Sequence, residues 1–284
     1  MTGLPWPAPA KINLFLHVTG RKPDGYHLLQ TVFQFLDYCD QLQFTLRDDE
    51  EISRIGNYSG IPPEQDLVVR AASALRQSVD KKLPGVAIQV NKSLPMGGGL
   101  GGGSSNAATT LVALNTLWGL HLTENELADI GLALGADVPV FVRGRAAWAE
   151  GVGEQLTPVQ PPENWYLVIR PDCHVSTAEV FNAPDLTRNT PAITIRDFLA
   201  GAGTNDCEAV VRKCYPEVAT ALDWLGQRAD ARMTGTGACI FAAFAAETGA
   251  QAVLGQLPAG WQGFVARGKN RSPLLDRLEQ ETRI

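Results

Sequence analysis

The chain has 284 residues, of which 45% are hydrophobic and 19% are charged, and its formal net charge is −6. This is the composition of a soluble globular protein, long enough for one large domain or two domains of ordinary size. The acidic balance excludes broad binding to nucleic acid or to acidic membranes, which requires basic surfaces, so we expect neither partner.

The sequence also shows no targeting segment and no disulfide or metal pattern. Residues 1–7 have no basic start and no apolar core, and the longest apolar run, 238–246, is too short to span a bilayer. Five cysteines without a C-x-x-C pair and four histidines without ligand spacing predict reduced thiols and no tightly bound transition metal. We therefore expect a cytoplasmic protein.

The first predicted element is a strand over residues 10–18, in which apolar side chains alternate with the others. Lys11 and Asn13 lie side by side on its polar face. This face either presents the two side chains to a ligand or is the solvated face of an edge strand, and the pattern leaves both interpretations open. A turn over 20–25 and a second, largely apolar segment over 26–46 follow.

A glycine-rich run is the most informative stretch of the chain: Pro95-Met96-Gly97-Gly98-Gly99-Leu100-Gly101-Gly102-Gly103-Ser104-Ser105. Glycine adopts positive φ at little cost and lets a ligand approach the backbone. A predicted helix over 106–114 follows, with Ser104 and Ser105 as its expected N-caps, so that bare N–H groups at its positive end face the loop. Because the run lies between a predicted strand over 85–90 and this helix, it predicts a phosphate-binding loop and not a flexible linker.

The elements around the run exclude three common kinds of phosphate loop. A dinucleotide fold needs a strand after the helix, but a capping box of Thr123 and Glu126 predicts a second helix, which reaches about Leu134 and ends at Gly135. A P-loop needs a lysine where Ser104 stands. The glycine loop of protein kinases leads into a strand, and no H-R-D or D-F-G motif follows here.

Asp137 follows this second helix in a largely apolar neighbourhood, where a carboxylate needs a partner. A capping role beside the helix end and an ion pair with a cation such as Lys11 would both satisfy it, and the sequence leaves the two open. Further on, residues 144–151 predict a β-hairpin, and a composition shift at 157–162 predicts a domain boundary.

The remaining residues, 158–284, alternate between strand and helix patterns, which predicts an α+β sandwich with helices on one face of a sheet. The expected strands cover 165–170, 239–244 and 263–267, and the expected helices cover 206–215, 218–228 and 248–257. Between a helix and a strand lies the turn Met233-Thr234-Gly235-Thr236-Gly237-Ala238-Cys239. Its threonines and glycines either form a simple turn or supply donors to a phosphate or substrate.

Taken together, Lys11, the glycine-rich run, Asp137 and the turn Thr234-Gly235-Thr236-Gly237 resemble the GHMP kinase superfamily. Within it, the chain looks like the family of 4-diphosphocytidyl-2-C-methyl-D-erythritol kinases, over essentially its whole length and with the motifs in the family's order. The segments that carry this resemblance are Pro9-Ala10-Lys11-Ile12-Asn13-Leu14-Phe15-Leu16, Asp24-Gly25-Tyr26-His27, residues 95–106, Gly135-Ala136-Asp137-Val138-Pro139 and Gly235-Thr236-Gly237.

The resemblance implies an α+β, two-domain GHMP kinase fold with the active site in the cleft between the domains. An N-terminal mixed α/β nucleotide-binding domain would cover residues 1–157, and a C-terminal ferredoxin-like α+β domain would cover residues 158–284. The implied reaction passes the γ-phosphoryl group of ATP to the 2-hydroxyl of 4-diphosphocytidyl-2-C-methyl-D-erythritol, in the non-mevalonate (MEP) pathway of isoprenoid biosynthesis. The implied partner is this small molecule, and the expected assembly is a monomer or a weak homodimer.

The same resemblance implies roles for individual residues. Asp137 is the implied catalytic base and Lys11 its charged neighbour, because an adjacent ammonium keeps a carboxylate ionised and stabilises charge on the transferred group. Mg²⁺ is expected to be held mainly by phosphate oxygens and water, with Ser104 or Ser105 near it. The residues implied to bind ATP are Lys92, Pro95, Met96, Gly97, Gly98, Gly99, Leu100, Gly101, Gly102, Gly103, Ser104 and Ser105.

Five residues are implied to bind the acceptor substrate. Tyr26 and Phe181 occupy the positions of an aromatic pair that sandwiches the cytosine, and His27 is in position to read the polar edge of this base. Asn13 and Thr177 would hold substrate oxygens. Stacking is worth about 1–3 kcal/mol per base in nucleic-acid systems. Core packing is the alternative role for the two aromatic rings.

Two other functions stay open. Another small-molecule kinase of the superfamily, of the mevalonate or homoserine type, would have no cytidine site. A non-catalytic nucleotide-binding protein would keep the loop without the chemistry, and the joint presence of Lys11 and Asp137 counts against it. Relatives often have Asp-Asn-Leu where this chain has Gln65-Asp66-Leu67, ahead of a predicted helix over 67–75, so adenine recognition stays open.

Overall fold

The computed structural model describes residues 4–23, 25–56 and 61–282. Residues 1–3 and Asp24, which the sequence analysis considered, therefore lie outside the described part. The strands of this part are β1 (Trp6–Arg21), β2 (His27–Arg47), β3 (Ile52–Ile55), β4 (Gly85–Asn91), β5 (Ala147–Glu150), β6 (Gln155–Pro158), β7 (Trp165–Arg170), β8 (Ala231–Met233), β9 (Ile240–Phe244) and β10 (Gln262–Lys269). Its helices are α1 (Leu67–Gln77), α2 (Gly102–Leu117), α3 (Glu124–Leu132), α4 (Val138–Arg143), α5 (Thr177–Asn182), α6 (Ile195–Leu199), α7 (Asp206–Cys214), α8 (Pro216–Gly226), α9 (Glu247–Leu254) and α10 (Pro273–Thr282), with a short 3₁₀ helix at Pro63–Gln65.

The strands form one hydrogen-bonded network with two regions. In the first region, β2 pairs with β1, β4 and β5, while β3 pairs with β4 and β6 with β5. In the second region, the strand order is β10-β7-β9-β8, and all of these pairs are antiparallel. The long strand β2 joins the two regions, because its residues Phe35 and Leu36 pair with Lys269 and Gly268 of β10.

Each region buries a hydrophobic core against helices, as expected for amphipathic helices that cover one face of a sheet. The first core includes Leu111 of α2 and Leu274 of α10. The second includes Val211 of α7 and Leu222 of α8. Leu100 of the glycine-rich run belongs to a third cluster with residues of β1, β7 and β9. This is the predicted α+β arrangement, whereas the domain boundary after residue 157 stays a prediction.

Most predicted elements are present, with ends that differ by a few residues. The predicted strand over 85–90 is β4, and the predicted helix over 67–75 is α1. The Thr123–Glu126 capping box is confirmed, since the hydroxyl and carboxylate of these two residues each accept a hydrogen bond from the backbone of the other.

The hairpin predicted over residues 144–151 is wrong. The hairpin is formed by β5 and β6, and the residues before it, Val138–Arg143, form the helix α4. Pro139 stands in the first turn of this helix, where its missing N–H costs nothing, and Gly144, with φ of 61°, ends it. Both signals stand in the sequence, but a helix of six residues is too short for a periodic pattern to reveal.

All five cysteines are free thiols in the structure. Burial raises the pKa of Cys207 and of Cys239 to about 12. Both side chains therefore act as packing groups and not as nucleophiles. Within the described ranges, no helix combines the length and the apolar character that crossing a bilayer requires.

Candidate active site

A cavity of about 790 Å³ opens between the two regions of the fold. It is of the size that small-molecule sites typically have. Its wall combines β1 and β2 with α5 and the 233–239 turn, and so draws on both halves of the chain. All residues predicted to act in catalysis or to bind the acceptor lie on this wall: Lys11, Asn13, Tyr26, His27, Asp137, Thr177 and Phe181.

Lys11 and Asp137 form an ion pair on this wall, with 3.3 Å between Nζ and Oδ2. The lysine side chain is 5% exposed and the aspartate side chain 33%. Asp137 is the N-cap residue of α4, yet its side chain makes no capping hydrogen bond. Of the two roles that the sequence left open, the structure shows the ion pair, and the carboxylate stays accessible from the cavity.

The strand β1 is buried on both faces, so the interpretation of a solvated edge strand is wrong. Lys11 and Asn13 are 4% and 3% exposed. The pairing of β1 with β2 is irregular between Pro9 and Lys11 and again between Asn13 and Leu16. Such bulges redirect side chains and occur often beside active sites. The cover over the polar face comes from distant segments, which local alternation cannot indicate.

Asn13 makes three hydrogen bonds, two of them through its side-chain amide. Its Oδ1 accepts from Lys11 Nζ at 2.7 Å, and its Nδ2 donates to Thr31 Oγ1 at 3.0 Å. Its backbone N–H donates to Thr234 Oγ1 at 2.9 Å, and the Thr31 hydroxyl in turn donates to the Phe15 carbonyl. Asn13 thus holds the Lys11 ammonium in place beside Asp137.

A second cavity, of about 350 Å³, is lined by the glycine-rich run. Ser105 is not on its wall, because this side chain is fully buried within α2. Ser104 is therefore the hydroxyl of the two that faces the cavity. The other residues predicted to bind ATP all line it: Lys92, Pro95, Met96, Gly97, Gly98, Gly99, Leu100, Gly101, Gly102 and Gly103.

The loop depends on glycines with positive φ, at Gly97 (68°), Gly99 (76°) and Gly101 (71°). Gly101 is the N-cap of α2, and Gly102 and Gly103 begin its first turn. The expectation that Ser104 and Ser105 cap the helix is therefore wrong, since the left-handed Gly101 starts it earlier. The lack of side chains at these first two positions leaves the backbone N–H groups open to a phosphate.

Three hydrogen bonds hold this loop in place, one from β1 and two from the 233–239 turn. They run from Lys11 N to Leu100 O (3.0 Å), from Cys239 N to Gly98 O (3.2 Å) and from Thr234 Oγ1 to Gly99 O (3.4 Å). The same turn also lines the larger cavity through Thr236, whose hydroxyl lies 2.8 Å from that of Thr177. The turn therefore supports both cavities.

Asp40 organises the segment that leads into the loop. Its carboxylate is fully buried, and Oδ1 accepts from the N–H groups of Ser93 (2.7 Å) and Leu94 (2.8 Å). Its Oδ2 pairs with Nζ of Lys92, which lines the second cavity. Three donors satisfy this buried charge, and the arrangement fixes both the loop entry and the lysine.

Asp66, the departure from the relatives' pattern, also lines the second cavity. Its Oδ1 caps α1 by accepting from the Val68 N–H at 3.0 Å, and its Oδ2 lies 2.7 Å from the Arg54 guanidinium. Both oxygens of this carboxylate are thus engaged in the fold. Gln65 and Ile61 lie beside it on the cavity wall.

The three rings predicted to bind the cytosine, those of Tyr26, His27 and Phe181, all line the larger cavity. His27 stacks on Phe181, with ring centroids 5.0 Å apart and an interplanar angle of 23°. Tyr26 is 66% exposed. Burial, followed by the charges of Arg188 and Arg21, lowers the pKa of His27.

The two cavities meet at the glycine-rich run, since Gly99 and Gly101 line both of them. A Cβ placed on Gly101 would lie 3.1 Å from Cε of Lys11. An anion on the loop in the smaller cavity and a hydroxyl beside Asp137 in the larger one would therefore be close neighbours. This is the placement that transfer of a phosphoryl group requires.

Comparison with known proteins shows which family this chain is similar to. Residues 66–145 match the family described as GHMP kinases N terminal domain, and residues 188–263 match GHMP kinases C terminal. A protein of Nitrosococcus oceani named 4-diphosphocytidyl-2-C-methyl-D-erythritol kinase is 60% identical over 275 residues, which are 97% of this chain and 98% of the relative. A Marinobacter nauticus protein of the same name is 56% identical over an alignment of 284 positions, which covers 99% of this chain and 99% of the relative.

This chain belongs to the 4-diphosphocytidyl-2-C-methyl-D-erythritol kinase family. A crystal structure described as 4-(cytidine 5′-diphospho)-2C-methyl-D-erythritol kinase is similar to its fold, with a TM-score of 0.80 and 31% identity, over 92% of this chain and 98% of that one. Membership of the 4-diphosphocytidyl-2-C-methyl-D-erythritol kinase family confirms the resemblance and the GHMP kinase fold expected from the motifs. The roles of single residues stay predictions.

Sequence reasoning missed several residues of the site. Arg21 and Thr31 line the larger cavity, Asp40 anchors the loop entry and Arg188 contacts His27. The acid Asp40 within a largely apolar strand is a signal that could have been followed. Thr31 lies in the same strand, and the largely hydrophobic pattern of this strand gives no indication that Thr31 belongs to the site. Nothing in the neighbourhood of Arg188 marks it as a partner of a residue 161 positions away.

Proposed function

We propose that this protein transfers the γ-phosphoryl group of ATP to the 2-hydroxyl of 4-diphosphocytidyl-2-C-methyl-D-erythritol, which yields the 2-phosphate and ADP within the MEP pathway of isoprenoid biosynthesis. The observation that carries the proposal is the meeting of two cavities at Gly99 and Gly101, beside the Lys11–Asp137 pair. The names of relatives that are 56–60% identical over nearly the whole chain support the same substrate.

In the proposed reaction the acceptor hydroxyl lies beside Asp137. Its carboxylate accepts or orients the hydroxyl proton while the new O–P bond forms and the bond from the γ-phosphorus to the bridging oxygen of ADP breaks. The ammonium of Lys11 balances the charge on the carboxylate and on the transferred group. Because Asn13 and the burial of Lys11 fix this ammonium beforehand, no reorganisation is needed when substrate binds.

The phosphates of ATP would lie on the glycine-rich run in the smaller cavity. The donor set suits a Mg²⁺ ion held by phosphate and water: the Ser104 hydroxyl faces the cavity, and the described residues contain no group of three His, Cys, Asp or Glu for a protein-held metal. Bound Mg²⁺ supplies neutralisation of phosphate charge. Lys92, fixed by Asp40, adds a positive charge on the same wall.

The larger cavity favours an acceptor that carries a base. Three rings, those of Tyr26, His27 and Phe181, line it together with the Lys11–Asp137 pair. An acceptor of the mevalonate or homoserine type has no group that would stack on them. A non-catalytic nucleotide-binding role would not require the ion pair at the junction of the two cavities.

A coupled assay of ADP release tests the proposed function. We expect turnover with 4-diphosphocytidyl-2-C-methyl-D-erythritol and none with mevalonate or homoserine. Turnover only with mevalonate or homoserine would contradict the proposed substrate. Binding of ATP without turnover of any of the three acceptors would instead show a non-catalytic protein.

We expect Tyr26→Ala and Phe181→Ala to raise the KM for the cytidyl substrate by about tenfold, because a stacked base loses roughly 1–3 kcal/mol with each aromatic removed. The KM for ATP should change little, since neither ring lines the smaller cavity. Steady-state kinetics with each substrate varied in turn measures both constants. Tyr26→Phe, which keeps the ring, is the matched control, and an equal rise in both KM values would indicate a folding defect.

We also propose that this protein is cytoplasmic and that it acts on a small molecule, without a nucleic-acid or membrane partner. The use of ATP and the five free thiols suit the reducing cytoplasm. The net charge of −6 does not suit a polyanionic surface. The monomer or weak homodimer stays a prediction.

A further inference from the structure

Arg188 connects the two elements that carry His27 and Phe181, at the end of the larger cavity where the nucleobase is proposed to bind. Its Nε donates to Nε2 of His27 at 3.1 Å. Its Nη2 donates to the carbonyls of Phe181 (2.8 Å) and Ala183 (2.7 Å), and its Nη1 to that of Leu186 (3.1 Å). A single guanidinium therefore ties the start of β2 to the C-terminal end of α5, where the last carbonyls of a helix need donors.

The contact with His27 determines which ring nitrogen carries the proton. An arginine Nε–H donates and never accepts, so Nε2 of His27 must be the acceptor. In a neutral imidazole the other nitrogen then holds the hydrogen, and His27 is the Nδ1–H tautomer. The stacking of this ring on Phe181, whose carbonyl Arg188 also binds, fixes its plane.

The charge state of His27 follows from the groups that face it. They are Arg188, from the segment after α5, and Arg21, from the end of β1. Burial acts first and the two cations add to it, and together they lower the pKa of His27 below its ordinary value of 6.5. The ring therefore stays neutral at physiological pH and offers one donor, Nδ1–H.

We propose that Arg188 is a positioning residue that holds His27 as a donor through Nδ1 and thereby makes the site select cytosine over uracil. The proposal rests on the proposed function, which places a pyrimidine here. N3 of cytosine accepts a hydrogen bond, whereas N3 of uracil carries a hydrogen. A fixed N–H donor placed against this position would suit cytosine and oppose uracil, and a free tautomer would lose the distinction.

The first test is a ¹⁵N NMR spectrum of histidine-labelled protein at pH 8, with the His27 signal assigned through its loss in His27→Gln. We expect a neutral ring protonated on Nδ1 in the wild type, and loss of this preference in Arg188→Met. Protonation on Nε2 in the wild type would overturn the proposal. Arg196→Met, which removes an exposed arginine of α6, is the matched control and should leave the signal unchanged.

The second test compares the Kd values of CDP and UDP, which serve as probes of the base site without catalysis. We expect the preference for CDP to fall by about tenfold in Arg188→Met, the order expected for one lost hydrogen bond. His27→Gln should lose the preference as well, because a glutamine amide donates or accepts by rotation while the bonds from Arg188 to α5 remain. An unchanged preference in both variants would overturn the proposal.

The pH dependence separates this role from a merely structural one. Loss of Arg188 raises the pKa of His27 towards 6.5, and the imidazolium that forms as the pH falls has an Nδ1–H again. The deficit of Arg188→Met in CDP binding, relative to the wild type, should therefore shrink between pH 8 and pH 6. A constant deficit would show that the variant only disturbs α5. Inactivity of wild-type enzyme with the cytidyl substrate, despite normal CDP binding, would instead refute the proposed function and leave this inference standing.

Discussion

Replacement of Asp137 by asparagine should lower kcat by about 10²–10⁴-fold, the contribution that general acid–base catalysis typically makes. The amide has nearly the same shape as the carboxylate, but it cannot take the proton of the acceptor hydroxyl. Binding of ATP should persist, because Asp137 lines the larger cavity and not the one that the glycine-rich run encloses. Steady-state kinetics and calorimetric titration with ATP measure the two quantities.

Asp129→Asn provides the control for this prediction. Asp129 lies exposed on the neighbouring helix α3, outside both cavities, and its replacement makes the same change in charge. It should leave kcat unchanged. A melting curve of Asp137→Asn shows whether the fold survives, since the buried Lys11 loses its charged partner and keeps its hydrogen bond to Asn13 and its contact with the Phe33 ring. Near-normal turnover by a folded Asp137→Asn protein would refute the role of this carboxylate.

Replacement of Gly99 by alanine should lower kcat/KM for ATP by about 100-fold, because a shift of about 1 Å in a reacting group has this order of effect. A Cβ at Gly99 would lie 2.3 Å from the Thr234 carbonyl oxygen, where ordinary contact begins at 3.4 Å. The loop must therefore move away from the 233–239 turn that supports it. The positive φ of Gly99, 76°, adds strain of its own.

Gly119→Ala separates the clash from the strain. Gly119 also has a positive φ, 61°, but a Cβ there would meet nothing within 4 Å. Its replacement should cost about 1–2 kcal/mol of the free energy of unfolding and leave the kinetic constants unchanged. If both variants showed the same small loss of activity, the close approach of the loop to Thr234 would not matter for catalysis.

The sequence predicted those parts of the site whose local pattern is compatible with a single structure. The glycine-rich run required positive φ and an open helix start, and the structure has both. The prediction was weaker where the pattern was compatible with two structures. The position of Asp137 was equally compatible with a helix cap and with an ion pair. Lys11, which is distant in the sequence but opposite Asp137 in the fold, decides between the two. The serine caps failed because Gly101 could adopt the left-handed conformation that starts the helix earlier.

By itself, the sequence predicted the glycine-rich loop with its positive φ values, the family and the two charges that pair in the larger cavity, because glycine content, capping residues and motif order are local features of the chain. The tertiary structure decided how these parts meet. It buries β1 on both faces, joins two cavities at Gly99 and Gly101, and sets Arg188 against His27. These contacts connect segments up to 221 residues apart. Side chains so distant become neighbours only when burial of apolar surface drives the whole chain together, and no local pattern encodes that distance.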